Sequence, residues 1–354
     1  MLGCKSRPKP VPPITPLLST VQPATPAPVL SKPVIEPPPP SEPPPPSEPP
    51  QVSWTNVLVG SWIPVERWSR LIGVGGPSYC SRPAVHCMEL RCTNGVIRLS
   101  AGNRLANWEG LSCWLGFAPQ WIQNELYVNV LDAEKSLLPL MQPLSLSRKS
   151  KLVLVLDPGH GGRNPGATSV FNGRYEKEYT LDWAKRIQSL LATNGWQVYL
   201  TRTNDQDLSL ADRTELARNW HADFFVSLHF NSALPHTDQS GLESYCLTPQ
   251  GMPSSLTRDY ADDATEVFPN NEFDAQNFQF AADLQRALVL ASGSMDRGVR
   301  RARFMGVLRE QRCPAVLLEG GYLSNPEEAR LISQPAYRQK LAEAVARGVM
   351  GFED

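Results

Sequence analysis

The sequence predicts an α/β protein with a mostly parallel twisted sheet covered by helices on both faces. A small α+β domain and a disordered proline-rich tether precede it. Three observations carry that reading. Residues 1–50 hold 19 of the chain's 34 prolines and no aromatic residue, so this stretch cannot bury enough apolar surface to offset chain entropy. Residues 51–148 show short apolar stretches broken by turn signals, as strands and hairpins do. From Lys151 onward, continuous apolar runs alternate with stretches of helical period; this is the pattern of buried parallel strands with helices between them. The expected division is 1–50 tether, 51–148 accessory domain and 151–354 main domain.

The net charge of −1 in 354 residues argues against a nucleic-acid binder working through bulk charge. No apolar run approaches the ~18 residues a membrane-spanning helix needs. The chain opens Met1-Leu2-Gly3-Cys4, which resembles the tail end of a bacterial lipoprotein signal whose cysteine carries the lipid. On that reading Cys4 attaches the protein to a membrane, a basic and apolar leader lies upstream, and the proline tract is a spacer. The alternative is that Cys4 is incidental. Six further cysteines stand at 80, 87, 92, 113, 246 and 313. Spacings of seven and five in the first cluster do not suit a zinc site; one or two disulfides in an oxidising compartment are expected, with connectivity open, and buried free thiols are the alternative.

In the accessory segment, Val57-Leu58-Val59 and Trp62-Ile63-Pro64-Val65 read as strands on either side of Gly60. Met88 to Cys92 and Val96 to Leu99 flank Thr93-Asn94-Gly95, a strong hairpin signal. Leu126 to Val130 leads into a short helix, and 145–150 reads as a second linker. This order resembles the copper-amine-oxidase N-terminal-like modules found beside cell-wall enzymes.

Beyond it, Leu152 to Leu156 is a strand, Leu181 to Leu191 a helix stopped at Gly195, and Val198 to Leu200 a second strand. A helix over Leu210 to Trp220 precedes a third strand, Phe224 to His229. Residues 249–276, rich in Pro, Asp and Asn, read as a long acidic loop before a helix near 277–291. Ala315 to Glu319 is a buried strand, and 336–350 the terminal helix.

Three ionisable groups stand at predicted strand ends: His160 after Asp157-Pro158-Gly159, His229 before Phe230-Asn231, and Glu319 before Gly320-Gly321. Ligands bind at that edge of open α/β sheets. A lone histidine there is more often hydrogen-bonded structure. Taken together, the three groups suit a catalytic zinc, which takes three N or O ligands and leaves a position for water.

Val155 to Gly162 with Asn164-Pro165-Gly166-Ala167 resembles the opening of the zinc-dependent N-acetylmuramoyl-L-alanine amidases. Glu176-Lys177 before Leu181, Thr201-Arg202, Arg213, Ser227 to Asn231, Gly241 to Tyr245, Asp296 to Val299 and Pro314 to Asn325 follow in the family's order. Asp296 to Val299 is read as a loop. The resemblance spans roughly 152–350. It implies that His160, Glu176 and His229 bind Zn²⁺ and that Glu319 is the general base. Glu178 is the rival to Glu176. Glu243 is structural or contacts substrate; His86, His221 and His236 match no motif. Phe230 stands where the family often has a small residue, and Gly320 where threonine is common.

The implied function is hydrolysis of the amide between N-acetylmuramic acid and L-alanine in peptidoglycan, for cell-wall remodelling and daughter-cell separation. The enzyme would be exported to the envelope, in the periplasm or attached to the outer membrane, with peptidoglycan and no nucleic acid as partner. An activator protein is left open. The competing readings are another zinc amide hydrolase of this fold, such as a peptidase, and a non-catalytic wall-binding protein working through 51–148. A carboxylate of the 249–276 loop is a candidate gate over the metal.

Overall fold

The computed structural model of the chain describes residues 61–80, 86–142, 151–257 and 262–351. The proline-rich stretch, the expected strand at 57–59, the linker at 145–150 and Asp259 of the acidic loop lie outside them.

The chain enters through β1 (Trp62–Pro64), α1 (Val65–Leu71) and the two-residue β2 (Ser78–Tyr79). A meander follows: β3 (Cys87–Cys92), β4 (Gly95–Ser100), β5 (Leu105–Trp108) and β6 (Leu111–Trp114). Thr93-Asn94 makes the β3–β4 turn, as expected, with Cys92 paired to Gly95. Cys80 and Cys87 form a disulfide, while Cys92, Cys113, Cys246 and Cys313 are free thiols. β7 (Gln120–Ile122) and β8 (Glu125–Asn129) join β1 in a separate three-stranded sheet. A helical stretch then runs through α2 (Val130–Asp132), a π turn (Ala133–Leu137) and α3 (Leu138–Met141).

The second half alternates as predicted, through β9 (Val153–Pro158), α4 (Glu176–Ala192), β10 (Gln197–Leu200), α5 (Leu210–Asn219), β11 (Phe224–Asn231) and β12 (Leu242–Cys246). It continues with α6 (Asp274–Ser292), β13 (Asp296–Arg301), α7 (Gly306–Arg309), β14 (Ala315–Tyr322), α8 (Pro326–Ser333) and α9 (Pro335–Gly351). β10, β9, β11 and β14 lie side by side and parallel. β12 is antiparallel to β14 and parallel to β13.

Each face of these strands has its own core. Leu154, Leu156, Phe224, Val226, Leu228, Val316 and Leu318 pack with α4, α6 and α9. Val155, Phe225, Ala315 and Leu317 pack with Ala217 of α5 and Leu308 of α7. Side chains alternate along a strand, so the second face continues upward as Asp157, Ser227, His229 and Glu319. That face turns polar at the carboxyl ends, and this places the site.

Three expectations need correction. The boundary near 148 does not separate two packed bodies. β6 pairs with β13 through Cys113 and Val299, so the meander extends the same sheet to eleven strands, and residues from both sides share one core. Asp296 to Val299 is not a loop but part of β13, an arginine-rich strand in which Arg297 and Arg300 pair with Glu243 of β12. The acidic segment is tied down as well. Buried Arg303 donates to Asp262 (2.6 Å) and to the carbonyls of Pro249 (2.6 Å) and Met252 (2.7 Å). A 3₁₀ turn at Pro269–Phe273 then starts α6 at Asp274, earlier than its apolar period shows. Among the described residues, no helix is long and apolar enough to cross a membrane.

Candidate metal centre

The chain leaves β9 through Pro158-Gly159-His160, and His160 has a left-handed backbone (φ 63°), which is costly for a residue with a Cβ. Two buried arginines hold it there. Arg213 donates to the carbonyl of His160 (2.8 Å), the carbonyl of Pro158 (3.1 Å) and the carboxylate of Asp157 (2.6 Å). Arg202 donates to the carbonyls of Pro158 and Gly159 (both 2.9 Å) and Lys177 (2.8 Å). Asp157 also accepts from Thr201 (2.6 Å) and Ser227 (2.8 Å). Three successive carbonyls are thus fixed from two other elements.

Glu176 is the first residue of α4, where the helix N-terminus favours a carboxylate. Its oxygens accept from the backbone amides of Ala167 (2.8 Å) and Phe230 (3.0 Å). They also meet His160 Nε2 at 3.1 Å and His229 Nδ1 at 3.0 Å. Burial alone would push the Glu176 carboxyl up, but hydrogen bonds from both imidazoles override it and hold it well below the usual carboxylate range. Burial likewise pulls His160 down, and Glu176 more than reverses this, leaving its pKa raised.

The structure therefore brings His160, Glu176 and His229 together, with one ligand atom of each within 4.8 Å of the others. This donor set fits a metal ion. Two imidazole nitrogens and a carboxylate are ligands suited to zinc. The Nδ1 of His160 lies 3.0 Å from Asn164 Oδ1, which orients the ring and leaves Nε2 for the site, as the outer shell of a metal histidine does. The packing leaves no slack. A Cβ on Gly159 would come within 2.3 Å of the His229 ring, and one on Gly166 within 2.5 Å of Glu176 Oε2.

Glu319 lies on β14 directly opposite His229 and is 8% exposed. It shares a cleft of about 630 Å³ with the three ligand candidates, Asn231, Arg213 and Leu210. Glu178 is elsewhere, capping the α4 backbone at Tyr175 (3.1 Å) and paired with Arg174 (2.6 Å). His86, His221 and His236 do not line the cleft, nor does any described residue of 249–276. The departures at Phe230 and Gly320 are neighbours: a Cβ on Gly320 would come within 2.8 Å of the Phe230 ring, so the larger residue fills space that the smaller one leaves.

Motif reading named Arg202, Arg213 and Glu243 without their contacts. Buried Glu243 accepts from Asn231 Nδ2 (2.7 Å) and Tyr322 Oη (3.0 Å) and pairs with Arg300 (2.8 Å). Its partners lie up to 79 positions away in sequence, and no local pattern marks them.

The family model for N-acetylmuramoyl-L-alanine amidase matches residues 154–350. The N-acetylmuramoyl-L-alanine amidase AmiA of Escherichia coli K12 is 32% identical over 232 residues, covering 60% of this chain and 79% of that protein. The sporulation-specific N-acetylmuramoyl-L-alanine amidase of Bacillus subtilis 168 is 34% identical over 198 residues, covering 55% and 66%. Among solved structures, the catalytic domain of CwlV from Bacillus (Paenibacillus) polymyxa var. colistinus aligns with 57% of this chain and 97% of its own, at 31% identity and a TM-score of 0.47.

Proposed function

The chain belongs to the N-acetylmuramoyl-L-alanine amidase family, and we propose that it cleaves the amide between N-acetylmuramic acid and L-alanine in peptidoglycan with a zinc ion held by His160, Glu176 and His229. One observation carries this: three ligand groups from three elements converge in one cleft beside the carboxylate of Glu319.

Bound zinc would supply Lewis acidity, polarising the scissile carbonyl and making water more acidic. The protein supplies the rest. Asn164 and the Arg213 clamp hold His160 in orientation. Glu319 takes the proton of the attacking water as oxygen bonds to the carbonyl carbon, then delivers it to the alanine nitrogen as the C–N bond breaks. The products are a lactyl carboxylate on the glycan and a peptide with a free amino terminus.

The substrate sets the site of action at the cell envelope, outside the cytoplasm. Within it, we assign the proline-rich stretch as a spacer from a membrane to which a lipid on Cys4 attaches the protein. Cys4→Ala should abolish incorporation of a lipid label; undiminished labelling would refute that attachment.

The test of activity is to incubate the full chain with zinc and isolated peptidoglycan and identify the products by mass. Stem peptides with free L-alanine amines are expected. Products cut within the peptide would favour a peptidase instead. A rate that appears only on adding envelope extract would point to an activator protein. Glu319→Gln should keep the metal and lose roughly 10²–10⁴-fold in rate; a wild-type rate would place the base elsewhere.

A further inference from the structure

The ladder between β11 and β14 holds register through His229 opposite Glu319 and then slips. The next pair is Asn231 opposite Tyr322, so β14 carries one residue more than β11 over this interval. Such a bulge breaks regular pairing where the strands present a metal-ligand candidate and the proposed base. Pairing resumes beyond the bulge, where the Leu323 amide donates to the Asn231 carbonyl at 2.8 Å, and a side-chain bridge at this point can set how the two strand ends align.

Glu243 makes that connection. It stands on β12 opposite Glu319 and is 2% exposed. One carboxylate oxygen accepts from both residues of the pair beyond the bulge, Asn231 Nδ2 at 2.7 Å and Tyr322 Oη at 3.0 Å. A buried carboxylate is expensive unless it is paired, and its other oxygen meets Arg300 Nε at 2.8 Å and Arg297 Nε at 3.5 Å. Both arginines are gripped by one residue of the N-terminal region. The Arg300 guanidinium lies 4.7 Å from the centre of the Trp114 ring, and the Trp114 indole N–H donates to the Arg297 carbonyl at 3.1 Å.

The geometry points to Glu243 as a positioning residue that holds His229 and Glu319 in mutual alignment across the bulge, braced by Arg300 and by Trp114 from β6. It rests on the reading of His229 as ligand and Glu319 as base. The region before residue 142 then takes part in catalysis through one side chain, without touching substrate.

The experiment measures kcat, KM and metal content for full-length variants loaded with zinc. Glu243→Gln should keep its metal and lose about 10–100-fold in kcat, the range for outer-shell partners of a metal site, with KM little changed. Trp114→Ala should lose several-fold in kcat, and Trp114→Phe, which keeps an aromatic face for the cation, should recover most of it. Arg300→Lys serves the same purpose should Trp114→Ala fail to fold. The double variant Glu243→Gln with Trp114→Ala should be no slower than Glu243→Gln alone, because the residues act as one unit. Arg286→Met is the control: it breaks a similar contact at the same junction, 5.7 Å from the Trp108 ring, and should lower Tm while leaving kcat unchanged.

Wild-type kcat in Trp114→Ala, or in Arg300→Lys, overturns the proposal. So does a double variant slowed by the product of the single effects, or an Arg286→Met variant slowed as much as Trp114→Ala. A wild-type rate in Glu319→Gln would instead overturn the reading beneath it, and is scored separately.

Discussion

The two halves of the eleven-stranded sheet bury their strands differently. In the meander, burial alternates: Met88 and Leu90 of β3, and Ile97 and Leu99 of β4, are buried, while the residues between them stay at least partly open. In β12 and β14 every residue is buried, and in β9 and β11 nearly every one is. A polar side chain on a one-sided strand costs nothing, because water reaches it. On a two-sided strand it must be paired or placed where solvent enters. His229, Glu319 and Asp157 satisfy that condition at the carboxyl ends, and Glu243 satisfies it with Arg300. The chemistry therefore concentrates in the half where polarity is most expensive.

The sharpest way to break this contrast is at the cleft. His160→Ala or His229→Ala should each take bound zinc from about one ion per chain to almost none, and peptidoglycan hydrolysis to background. Elemental analysis checks the first; full retention in both variants would move the metal site elsewhere. Next is the charge beneath it. Arg213→Met strands Asp157 in the two-sided half without its cation, and should cost about 3–5 kcal/mol in urea unfolding. Arg163→Ala, which breaks the exposed pair with Asp207, should cost no more than about 1 kcal/mol. Equal losses would erase the distinction.

A third test asks whether the halves unfold together. Leu99→Ala in β4 removes a fully buried side chain and should cost about 2–5 kcal/mol. With one shared core, calorimetry should show a single transition at lower temperature; two transitions would restore a boundary near residue 148. The last test concerns α6, which packs against both halves. Burial pushes the Asp283 carboxyl up to about 7, with Arg286 opposing. The folded state then binds this proton more tightly than the unfolded chain, so stability falls as pH rises from about 4 to about 7. Asp283→Asn escapes that loss. Its Tm advantage over wild type should grow across this window and level off above it; a constant difference would remove the titration.

Much of the site was legible because apolar runs ended in chemistry. Leu152 to Leu156, Phe224 to Leu228 and Ala315 to Leu318 marked the buried strands, and His160, His229 and Glu319 followed where a two-sided strand meets solvent. Glu176 had no such mark. It opens an amphipathic helix beside Glu178, and only resemblance to the family separated them. β13 escaped because Asp296-Arg297-Gly298-Val299-Arg300-Arg301 carries no apolar run; its arginines are held by partners far along the chain, which periodicity cannot report. The meander was legible as strands and turns. That its last strand would continue another sheet was not, since a one-sided strand looks the same whether its neighbour belongs to its own hairpin or to a strand almost 190 residues away, as Val299 is from Cys113.

The continuation of the sheet through β6 bears on self-association. An open sheet can recruit a foreign strand only at its two borders. Without the meander, one border would be β13, six residues long and aligned for pairing. With it, that border becomes β2, two residues long and followed at once by the Cys80–Cys87 disulfide, which leaves little ladder for another chain to extend. The other border, β10, spans only four residues. Among the described residues, the eleven-stranded sheet thus ends on both sides in short strands, which give a neighbouring chain little length along which to zip.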